Sequence, residues 1–409
     1  MDQNNTFKPL AGVKVMDLSI YVAGPACSSI LGYLGADVIK VESLKGDPYR
    51  VSGKGYGMPA EPKMNPIFDQ CNGFKRGIAV DFRSEEGKEI LKKIAASADI
   101  IVTNYRENAL KGMGVSYDEV AAINPKVVYG YFSGYGEKGP DASRPGFDAT
   151  TFFARSGFAL RGSYIGNPPM ASISAAGDTI ASTAFAVGIL AAYSQMQATG
   201  KGTKVSSSLY GSALWVLGIP TVQAEFGHVG PFPKDEPGFI ALSNDYLCKD
   251  GTWIRVCGMS AERYWEPLCD ALEMMEYAND ERFNTSTAQH INIGEACKVV
   301  QSGFSKYTYD EIAARLAQVD LPFEKHVTLD EVVKDEQALA NHFFNEITYE
   351  NGVKTYMAMP PFKMDGLNDE IGSRGPYLGE HSSKILAEYG YSADMIASLI
   401  ADGKVKQVN

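Results

Sequence analysis

Residues 12–42 begin with Gly12-Val-Lys-Val-Met-Asp-Leu18 and end with Val38-Ile-Lys-Val-Glu42. Both stretches are short apolar runs of the length and composition that predict buried β-strands. The segment between them predicts a loop over residues 19–25 and a helix over residues 26–34, which Gly35 ends. A strand, a helix and a second strand in this order make a compact βαβ unit, whose two strands are expected to be parallel.

The same alternation of helix and strand continues beyond this unit. Further helices are predicted over residues 84–98, 116–123, 179–197 and 210–227, and further strands over residues 99–103, 126–132 and 204–209. This pattern is typical of an α/β protein with a Rossmann-like, doubly wound and mostly parallel sheet. The first loop contains Gly24-Pro25 but no G-x-G-x-x-G pattern, so a dinucleotide-dependent dehydrogenase is disfavoured.

The length of 409 residues favours two domains, because a single hydrophobic core rarely serves so long a chain. A Gly- and Pro-rich segment at residues 227–238 suits a crossover between domains. Two hairpin turns are predicted, at Asp250-Gly251 and at Asn351-Gly352. We therefore expect a large domain made of residues 1–227 and 331–409, with a smaller domain inserted at residues 228–330.

The charge and composition of the chain exclude several classes of partner. With 49 acidic and 38 basic residues the net charge is -11, which argues against a nucleic-acid partner. The N-terminus lacks the features of a signal peptide and the long apolar runs contain Gly, Ser, Thr or Asp, so we expect a cytoplasmic protein with no membrane span. The six cysteines show no metal-ligand spacing, so free thiols and no metal site are expected.

Asp178 is the most isolated ionisable residue of the chain. It is the only Asp, Glu, Lys, Arg or His between Arg161 and Lys201, and it stands at the head of a long apolar run. One interpretation is that Asp178 is the N-cap of a helix, kept ionised by the positive helix terminus. Another is that its carboxylate is a nucleophile that an electrophile can reach among small neighbours. Both interpretations can hold together.

Short motifs that follow one another along almost the whole chain carry a family resemblance. They are Val22-Ala-Gly-Pro25, Leu34-Gly-Ala-Asp-Val-Ile-Lys-Val-Glu42, Asn72-Gly-Phe-Lys-Arg-Gly-Ile78, Asp99-Ile-Ile-Val-Thr-Asn-Tyr105, Gly134-Tyr-Gly-Glu-Lys-Gly-Pro140, Arg144-Pro-Gly-Phe-Asp148, Ala176-Gly-Asp178, Thr199-Gly-Lys-Gly202 and Leu378-Gly-Glu-His381. Singly each motif is weak, but in this order they resemble the class III, or family III, formyl-CoA transferase-like CoA-transferases. The subgroup that it resembles most acts on 2-hydroxy acids such as phenyllactate, with arylacrylyl-CoA as a partner substrate.

The resemblance implies an architecture and a set of site residues. Members of the family form an interlocked, ring-like homodimer, and the aspartate of the Gly-Asp motif, here Asp178, is their nucleophile. The implied CoA-binding residues are Val22, Ala23, Lys75, Arg76, Asn104, Tyr105 and Lys111. The implied substrate pocket contains Phe147 and Asp148. Val22 replaces the glutamine of formyl-CoA transferases, which argues against formate or oxalate, and Gly112 replaces an arginine whose phosphate contact Lys111 would have to supply.

The reaction implied by the resemblance moves CoA between an enoyl-CoA or arylacrylyl-CoA and a 2-hydroxy carboxylic acid, through an aspartyl-CoA thioester. It belongs to anaerobic amino-acid fermentation, and it uses CoA as a substrate, with no tightly bound cofactor. An α-methylacyl-CoA racemase of the same superfamily is the alternative enzyme. Phe147 stands where racemases carry a histidine base, and phenylalanine cannot move a proton. A CoA-ester-binding subunit without catalysis is the alternative outside enzymes.

Overall fold

The computed structural model describes residues 7–227, 229–233, 240–367 and 372–408. Internal contacts divide the chain into a larger unit, made of Met1–Phe158, Ala171–His228 and Glu336–Asn409, and a smaller unit, made of Ala159–Met170 and Val229–Asp335. The sequence places residues 159–170 in the large domain, but they belong to the smaller unit because the Ile165 N–H donates to the Phe232 carbonyl. Much of the predicted crossover, residues 228 and 234–238, lies outside the described residues.

The β-strands form three sheets. In chain order the strands are β1 Lys14–Leu18, β2 Asp37–Ser43, β3 Lys75–Val80, β4 Ile100–Thr103, β5 Val128–Ser133, β6 Thr203–Ser208, β7 Ser243–Leu247, β8 Trp253–Cys257, β9 Phe323–Lys325, β10 Phe344–Thr348, β11 Lys354–Ala358 and β12 Val405–Lys406. The sheet of the larger unit has the order β12-β3-β2-β1-β4-β5-β6, and all its neighbours are parallel except β12, which is antiparallel to β3. The predicted mostly parallel α/β sheet is therefore confirmed.

The helices follow the strands in the expected alternation. In chain order they are α1 Ala23–Tyr33, α2 Pro66–Asn72, α3 Glu85–Ser97, α4 Glu107–Met113, α5 Tyr117–Ile123, α6 Phe158–Arg161, α7 Ala176–Thr199, α8 Leu209–Val216, α9 Gly218–Glu225, α10 Ala261–Ala271, α11 Ser286–Ile291, α12 Ile293–Phe304, α13 Tyr309–Leu316, α14 Leu329–Val332, α15 Glu336–Ala340, α16 Ser382–Glu388 and α17 Ala393–Ala401. A 3-10 helix also covers Pro48–Tyr56, and a π-helix covers Asp148–Arg155.

Both faces of the central sheet are covered by helices. Met16 and Leu18 of β1 pack in one core with Ile94 of α3 and with side chains of α16 and α17. Val15, which alternates with them along the strand, packs in a second core with Phe185 of α7 and with α1. This alternation is the reason that the buried strands of a doubly wound sheet are apolar on both sides.

The two predicted hairpins are present. Asp250-Gly251 joins β7 to β8, and Asn351-Gly352 joins β10 to β11, each as an antiparallel pair. In both turns the glycine has a positive φ, +83° at Gly251 and +80° at Gly352, a conformation that glycine adopts without steric cost. The smaller unit contains the three-stranded sheet β7-β8-β9 and its own hydrophobic core around Trp265.

The sequence prediction differs from the structure in a few elements. The helix predicted over residues 210–227 is two helices, α8 and α9, which meet at Leu217. The strands β3 and β12 were not among the predicted strands, although β3 is an internal strand of the large sheet. Among the described residues, α7 is long and apolar enough to cross a membrane by length and composition alone, but core helices of soluble proteins meet the same test. One face of α7 packs on the sheet of the larger unit.

Candidate active site

Asp178 lies in the first turn of α7 and is its third residue. The helix begins after Ala175, which adopts a left-handed conformation with φ 60° and ψ 6°, and no side chain caps this end. The prediction that Asp178 is the N-cap is therefore wrong, because the chain enters the helix three residues earlier. The Asp178 carboxylate accepts no hydrogen bond from the described residues. It instead lies at the positive end of a 24-residue helix whose first N–H groups lack helical partners.

A second carboxylate, that of Asp148, lies close to the start of the same helix. Asp148 is buried, and a Cβ placed on Gly177 would lie only 2.3 Å from its Oδ1 atom. Only a glycine at position 177 leaves room for this approach. Among the described residues, the buried Oδ1 atom of Asp148 has no hydrogen-bond partner of normal geometry.

The two carboxylates have perturbed proton affinities. Burial raises the pKa of Asp178 to about 7, and the negative charge of Asp148 adds to this rise. Burial raises the pKa of Asp148 to about 6, although the backbone N–H groups of Gly177 and Ala175 oppose the rise. Desolvation therefore opposes the ionised form of Asp178, which the helix terminus favours. Near neutral pH, Asp178 exists in both protonation states.

Aromatic rings lie on the side of the site next to Asp148. The ring of Phe147 is half exposed and packs edge-to-face on Tyr21, with ring centroids 5.3 Å apart. Tyr21 also contacts Tyr49, at 6.4 Å between centroids. Phe152 and Phe153, which follow in the π-helix, are fully buried core residues. The accessible part of this aromatic group is therefore Tyr21 and Phe147.

The loop that carries Tyr21 is held in an unusual conformation. Tyr21 has a φ of +64°, which is costly for a residue with a side chain. The Asn104 side chain accepts from the Ile20 N–H at 2.9 Å and donates to the Ile20 carbonyl at 2.7 Å. Asp47 accepts from the Tyr21 N–H at 3.0 Å, and Lys40 donates to the Ser19 carbonyl at 2.7 Å. These bonds fix the loop beside Asp178 before any ligand binds.

A fully buried group of charges lies beneath this loop. Its members are Asp17, Lys40, Asp47 and Lys75, whose side chains have no exposed surface. The Lys75 ammonium donates to Asp17 at 2.8 Å and to three further oxygens, those of Pro25, Cys71 and Asn72. The Lys40 ammonium bonds Asp47 at 3.0 Å. Buried charges persist only when paired in this way, so the group is a structural support for the loop.

Comparisons with known proteins agree with this geometry. Residues 10–382 match the model of CoA-transferase family III. The chain is 35% identical over 398 residues to the (R)-2-hydroxy-4-methylpentanoate CoA-transferase of Clostridioides difficile, covering 97% of this chain and 99% of that protein. It is 34% identical to the cinnamoyl-CoA:phenyllactate CoA-transferase of Clostridium sporogenes, over 98% of each chain.

The chain belongs to CoA-transferase family III. Its fold also matches a solved structure, a CAIB/BAIF family protein from Brucella suis, with a TM-score of 0.80 and 29% identity over 93% of this chain and 99% of that one. The protein is therefore a CoA-transferase, and CoA thioesters are its substrates. No group of three metal-ligating side chains occurs within the described part of this CoA-transferase.

The predicted CoA-binding residues of the transferase fall into two groups. Four of these residues follow the carboxyl ends of β1 and β4, at the edge of the sheet where the loop that carries Tyr21 lies. They are Val22, Ala23, Asn104 and Tyr105. Val22 and Ala23 are buried where α1 begins, and Tyr105 is half-buried with its pKa raised by burial to about 12. Lys111 is exposed on α4, with a loose 3.7 Å ion pair to Glu107. These five residues stay candidates for contact with CoA.

Lys75 and Arg76 are engaged elsewhere in the CoA-transferase. Lys75 points into the buried charge group, and burial lowers its pKa to about 8. Arg76 is bidentate to Asp37, with bonds of 2.9 and 2.6 Å, and also pairs with Glu388 at 2.8 Å. In this conformation the Lys75 ammonium has no surface to offer a phosphate, and the charge of Arg76 is neutralised. Their family motif is matched, but the geometry assigns them supporting roles.

Several residues near Asp178 were not predicted from the sequence to be site residues. Tyr49 and Cys71 pack with Val22, and Tyr21, Ile67 and Ala175 pack around them. The nearby charge of Asp178 contributes to raising the pKa values of the Tyr49 hydroxyl and the Cys71 thiol, although burial is the larger cause for both. Asp47 before Pro48 is a common start of a short helix. This local pattern indicates that the backbone of Tyr49 is held in place.

Proposed function

We propose that this CoA-transferase moves CoA between an enoyl-CoA or arylacrylyl-CoA and a 2-hydroxy carboxylic acid, through an aspartyl-CoA thioester on Asp178. The observation that carries the proposal is the placement of Asp178. It is a carboxylate with no hydrogen-bond partner among the described residues, at the positive end of α7 and beside an aromatic surface. A nucleophile needs this freedom, because a carboxylate bound by other donors is less reactive.

The chemistry follows in four balanced steps. An Asp178 oxygen attacks the thioester carbonyl, and CoA leaves as a thiolate with formation of a mixed anhydride. The thiolate attacks the aspartyl carbonyl, which releases the first acid as a carboxylate and leaves the aspartyl-CoA thioester. The second acid then attacks this thioester, so that a new anhydride forms and the thiolate leaves again. Attack of the thiolate on the new acyl carbonyl yields the second acyl-CoA and restores Asp178.

The electrostatics of the site suit these steps. The positive end of α7 can stabilise the oxyanion that develops when a carbonyl near Asp178 is attacked. Burial, which raises the pKa of Asp178 to about 7, also makes its carboxylate a stronger nucleophile when it is ionised. The anhydride requires protection from water, and the apolar side chains of Val22, Tyr21 and Phe147 supply a dry boundary on one side.

The substrate class is supported by the two similar enzymes and by the aromatic surface. One of those enzymes is named for 2-hydroxy-4-methylpentanoate and the other for cinnamoyl-CoA and phenyllactate. Branched or aromatic acids of this size suit the accessible Tyr21 and Phe147 rings, which offer apolar faces and edges. Such 2-hydroxy acids share carbon skeletons with amino acids, which supports a role in anaerobic amino-acid fermentation in the cytoplasm as part of this proposal.

CoA itself binds as a substrate in this proposal. Val22 and Ala23 border the pantetheine, Asn104 and Tyr105 lie beside the nucleotide end, and Lys111 neutralises phosphate charge. Lys75 and Arg76 act indirectly by holding the strands and loops that these residues extend from. Phe147 and Asp148 border the acid.

We also propose that the active protein is an interlocked homodimer of a large and a smaller domain. The support is an exposed apolar surface on α8, α9 and the residue that follows α9, where Trp215 is 85% exposed, Ile219 76% and Phe226 77%. Soluble monomers seldom expose so many large apolar side chains together. The occupant expected there is a second copy of the chain. Differently tagged dimers should not exchange subunits under native conditions, and exchange within minutes would contradict the interlocked arrangement.

The deciding experiment is a steady-state and mass-spectrometric test on the purified protein. Wild type should transfer CoA to 2-hydroxy acids with ping-pong kinetics, and with acyl-CoA alone it should gain the mass of CoA on the peptide that contains Asp178. Asp178→Asn should lose activity by several orders of magnitude, because an amide has no nucleophilic carboxylate oxygen. Retention of more than about a tenth of the turnover by Asp178→Asn, with reversion to Asp excluded by mass, would contradict the assignment of the nucleophile.

A further inference from the structure

Tyr49 lies near Asp178 and has a hydroxyl group without a hydrogen-bond partner among the described residues. It lies near the start of the 3-10 helix Pro48–Tyr56 and is buried, with 8% of its surface exposed. Its backbone N–H donates to Asp47 at 2.9 Å, and the same Asp47 oxygen accepts from the Tyr21 N–H at 3.0 Å. The phenol is thereby held beside the loop, but its hydroxyl makes no hydrogen bond with any described residue.

Most of the side chains packed around Tyr49 are apolar, and the charges of Asp178 and Asp47 act on its hydroxyl. Tyr49 packs with Val22 and Cys71, and Ile67 and Ala175 complete the cluster. Burial raises the pKa of Cys71 to about 12, so this thiol stays neutral and is only a weak hydrogen-bonding group. Part of the Tyr49 hydroxyl stays accessible, because it has no partner among the described residues and is not one of their fully buried, unpaired polar atoms. An accessible hydroxyl at this place can donate to a ligand atom at Asp178.

We propose that the Tyr49 hydroxyl donates a hydrogen bond to the 2-hydroxyl oxygen of the acid at Asp178, which makes Tyr49 a specificity-determining residue. This inference rests on the proposed function. When Asp178 attacks, its carboxylate contacts the acyl carbonyl carbon, and the 2-hydroxyl is attached to the next carbon of the acid. Tyr49, whose backbone Asp47 holds and on whose hydroxyl the Asp178 charge acts, is the donor that we assign to this group. Burial also raises the pKa of the phenol, so it remains protonated and able to donate.

The inference explains how the site tells a 2-hydroxy acid from the same acid without the hydroxyl. A purely apolar pocket binds acids with and without an added hydroxyl about equally well. A site with a dedicated hydrogen-bonding group strongly prefers the acid that carries the hydroxyl. An acid without the 2-hydroxyl leaves the Tyr49 phenol without this hydrogen bond. The aromatic surface of Tyr21 and Phe147 then sets the size of the side chain, and Tyr49 recognises the hydroxyl.

The test uses Tyr49→Phe and a pair of acids that differ only in the hydroxyl, 2-hydroxy-4-methylpentanoate and 4-methylpentanoate, with one CoA donor. Tyr49→Phe should lower kcat/KM for the hydroxy acid roughly tenfold and change the value for the other acid less than about twofold. An equal loss for both acids, or no loss for the hydroxy acid, would overturn the inference. The matched control is Tyr56→Phe, which removes from the same helix a hydroxyl that is already paired with Ser174 at 3.0 Å.

Two further measurements keep the inference separate from folding and from turnover. Because the Tyr49 hydroxyl has no partner in the described structure, Tyr49→Phe should melt within about 2 °C of wild type. A large loss of Tm would instead reveal an internal role and overturn the inference. Binding of the two matching acyl-CoA esters is compared in Asp178→Asn, which cannot turn over, and the preference for the 2-hydroxyacyl ester should vanish when Tyr49→Phe is added. A preference that persists in the double variant would also overturn the inference about Tyr49. A wild-type protein that transfers CoA to none of the acids would instead contradict the proposed function.

Discussion

Asp148 and Asp178 form a coupled pair of carboxylates at the start of α7, in which the charge of Asp148 raises the pKa of Asp178. The absence of a side chain at Gly177 lets Asp148 approach the first helical turn, where a Cβ would lie 2.3 Å from its Oδ1. Two acids that share a poorly solvated site titrate as a pair, and the pair resists double ionisation. The behaviour of the protein between pH 4 and pH 8 should therefore depend on both residues.

The contribution of Asp178 to the stability of the wild-type protein should fall as the pH rises from 4 to 7. The pKa of Asp178 is about 7 in the folded protein but close to 3.8 in an unfolded chain, so the unfolded state loses this proton first. The stabilisation from this group is complete below pH 4 and is lost as the pH passes 7. Asp178→Asn removes the ionisation, so it should be about 1–3 kcal/mol more stable than wild type at pH 8.

Urea titrations of wild type and Asp178→Asn at pH 4, 6 and 8 measure this difference. The gap in unfolding free energy between the two proteins should be smallest at pH 4 and should widen steadily toward pH 8. Asp178→Ala serves as the control for shape, because Asp178 caps nothing and neither substitution removes a capping bond. A wild type that is more stable than Asp178→Asn at pH 8 would show that the carboxylate is stabilised by its surroundings.

Asp148→Asn should shift the pH dependence of catalysis toward lower pH. In wild type, kcat/KM for acyl-CoA should rise with pH and level off above a pKa near 7, since the proposed nucleophile is the ionised form of Asp178. Removal of the Asp148 charge lowers the pKa of Asp178, but burial remains as the larger cause of the raised value. The expected shift is therefore less than about one pH unit. An acid limb that stays in place, or moves to higher pH, would contradict the coupling.

Substitutions of Lys75 and Lys111 should show which of the two lysines supports the fold and which one binds the ligand. Lys75→Met leaves Asp17 buried without its 2.8 Å partner and should cost about 3–5 kcal/mol of folding stability. Lys111→Ala removes an exposed charge, so stability should change by less than about 0.5 kcal/mol. Its KM for acyl-CoA should rise, and the rise should shrink at high salt. A soluble, fully stable Lys75→Met with a raised KM would restore Lys75 to the CoA site.

Phe147→His should not convert the protein into a racemase. A racemase needs two bases on opposite faces of the α-carbon, and this substitution supplies the identity of one base without the matching geometry. Neither wild type nor the variant should exchange the α-proton of a 2-methylacyl-CoA into deuterated water. Exchange by the wild-type protein, followed by NMR, would place the racemase reaction ahead of CoA transfer. The acid preference of the variant should also change, because Phe147 packs on Tyr21.

The order of elements and the isolation of Asp178 were accessible from the sequence. The apolar runs at residues 12–18 and 38–42 have the period and length of buried parallel strands, and they are strands β1 and β2. Asp178 was accessible because a single acid in a long apolar segment is visible without any structure. The family motifs also follow chain order, so no three-dimensional information was required to detect them.

The roles of Lys75 and of Tyr49 were decided by tertiary structure. The charge of Lys75 suggests a surface contact with phosphate, but β3 turns this side chain inward, where Asp17 neutralises it. Tyr49, Tyr21 and Asp178 are far apart in the chain, and only the packing of the loop after β1, the 3-10 helix and α7 brings them together. The spacing of apolar residues in the sequence indicates whether one segment is a helix or a strand. Burial, pKa values and ligand contacts depend on which separate elements pack together, because desolvation and charge pairing act through space.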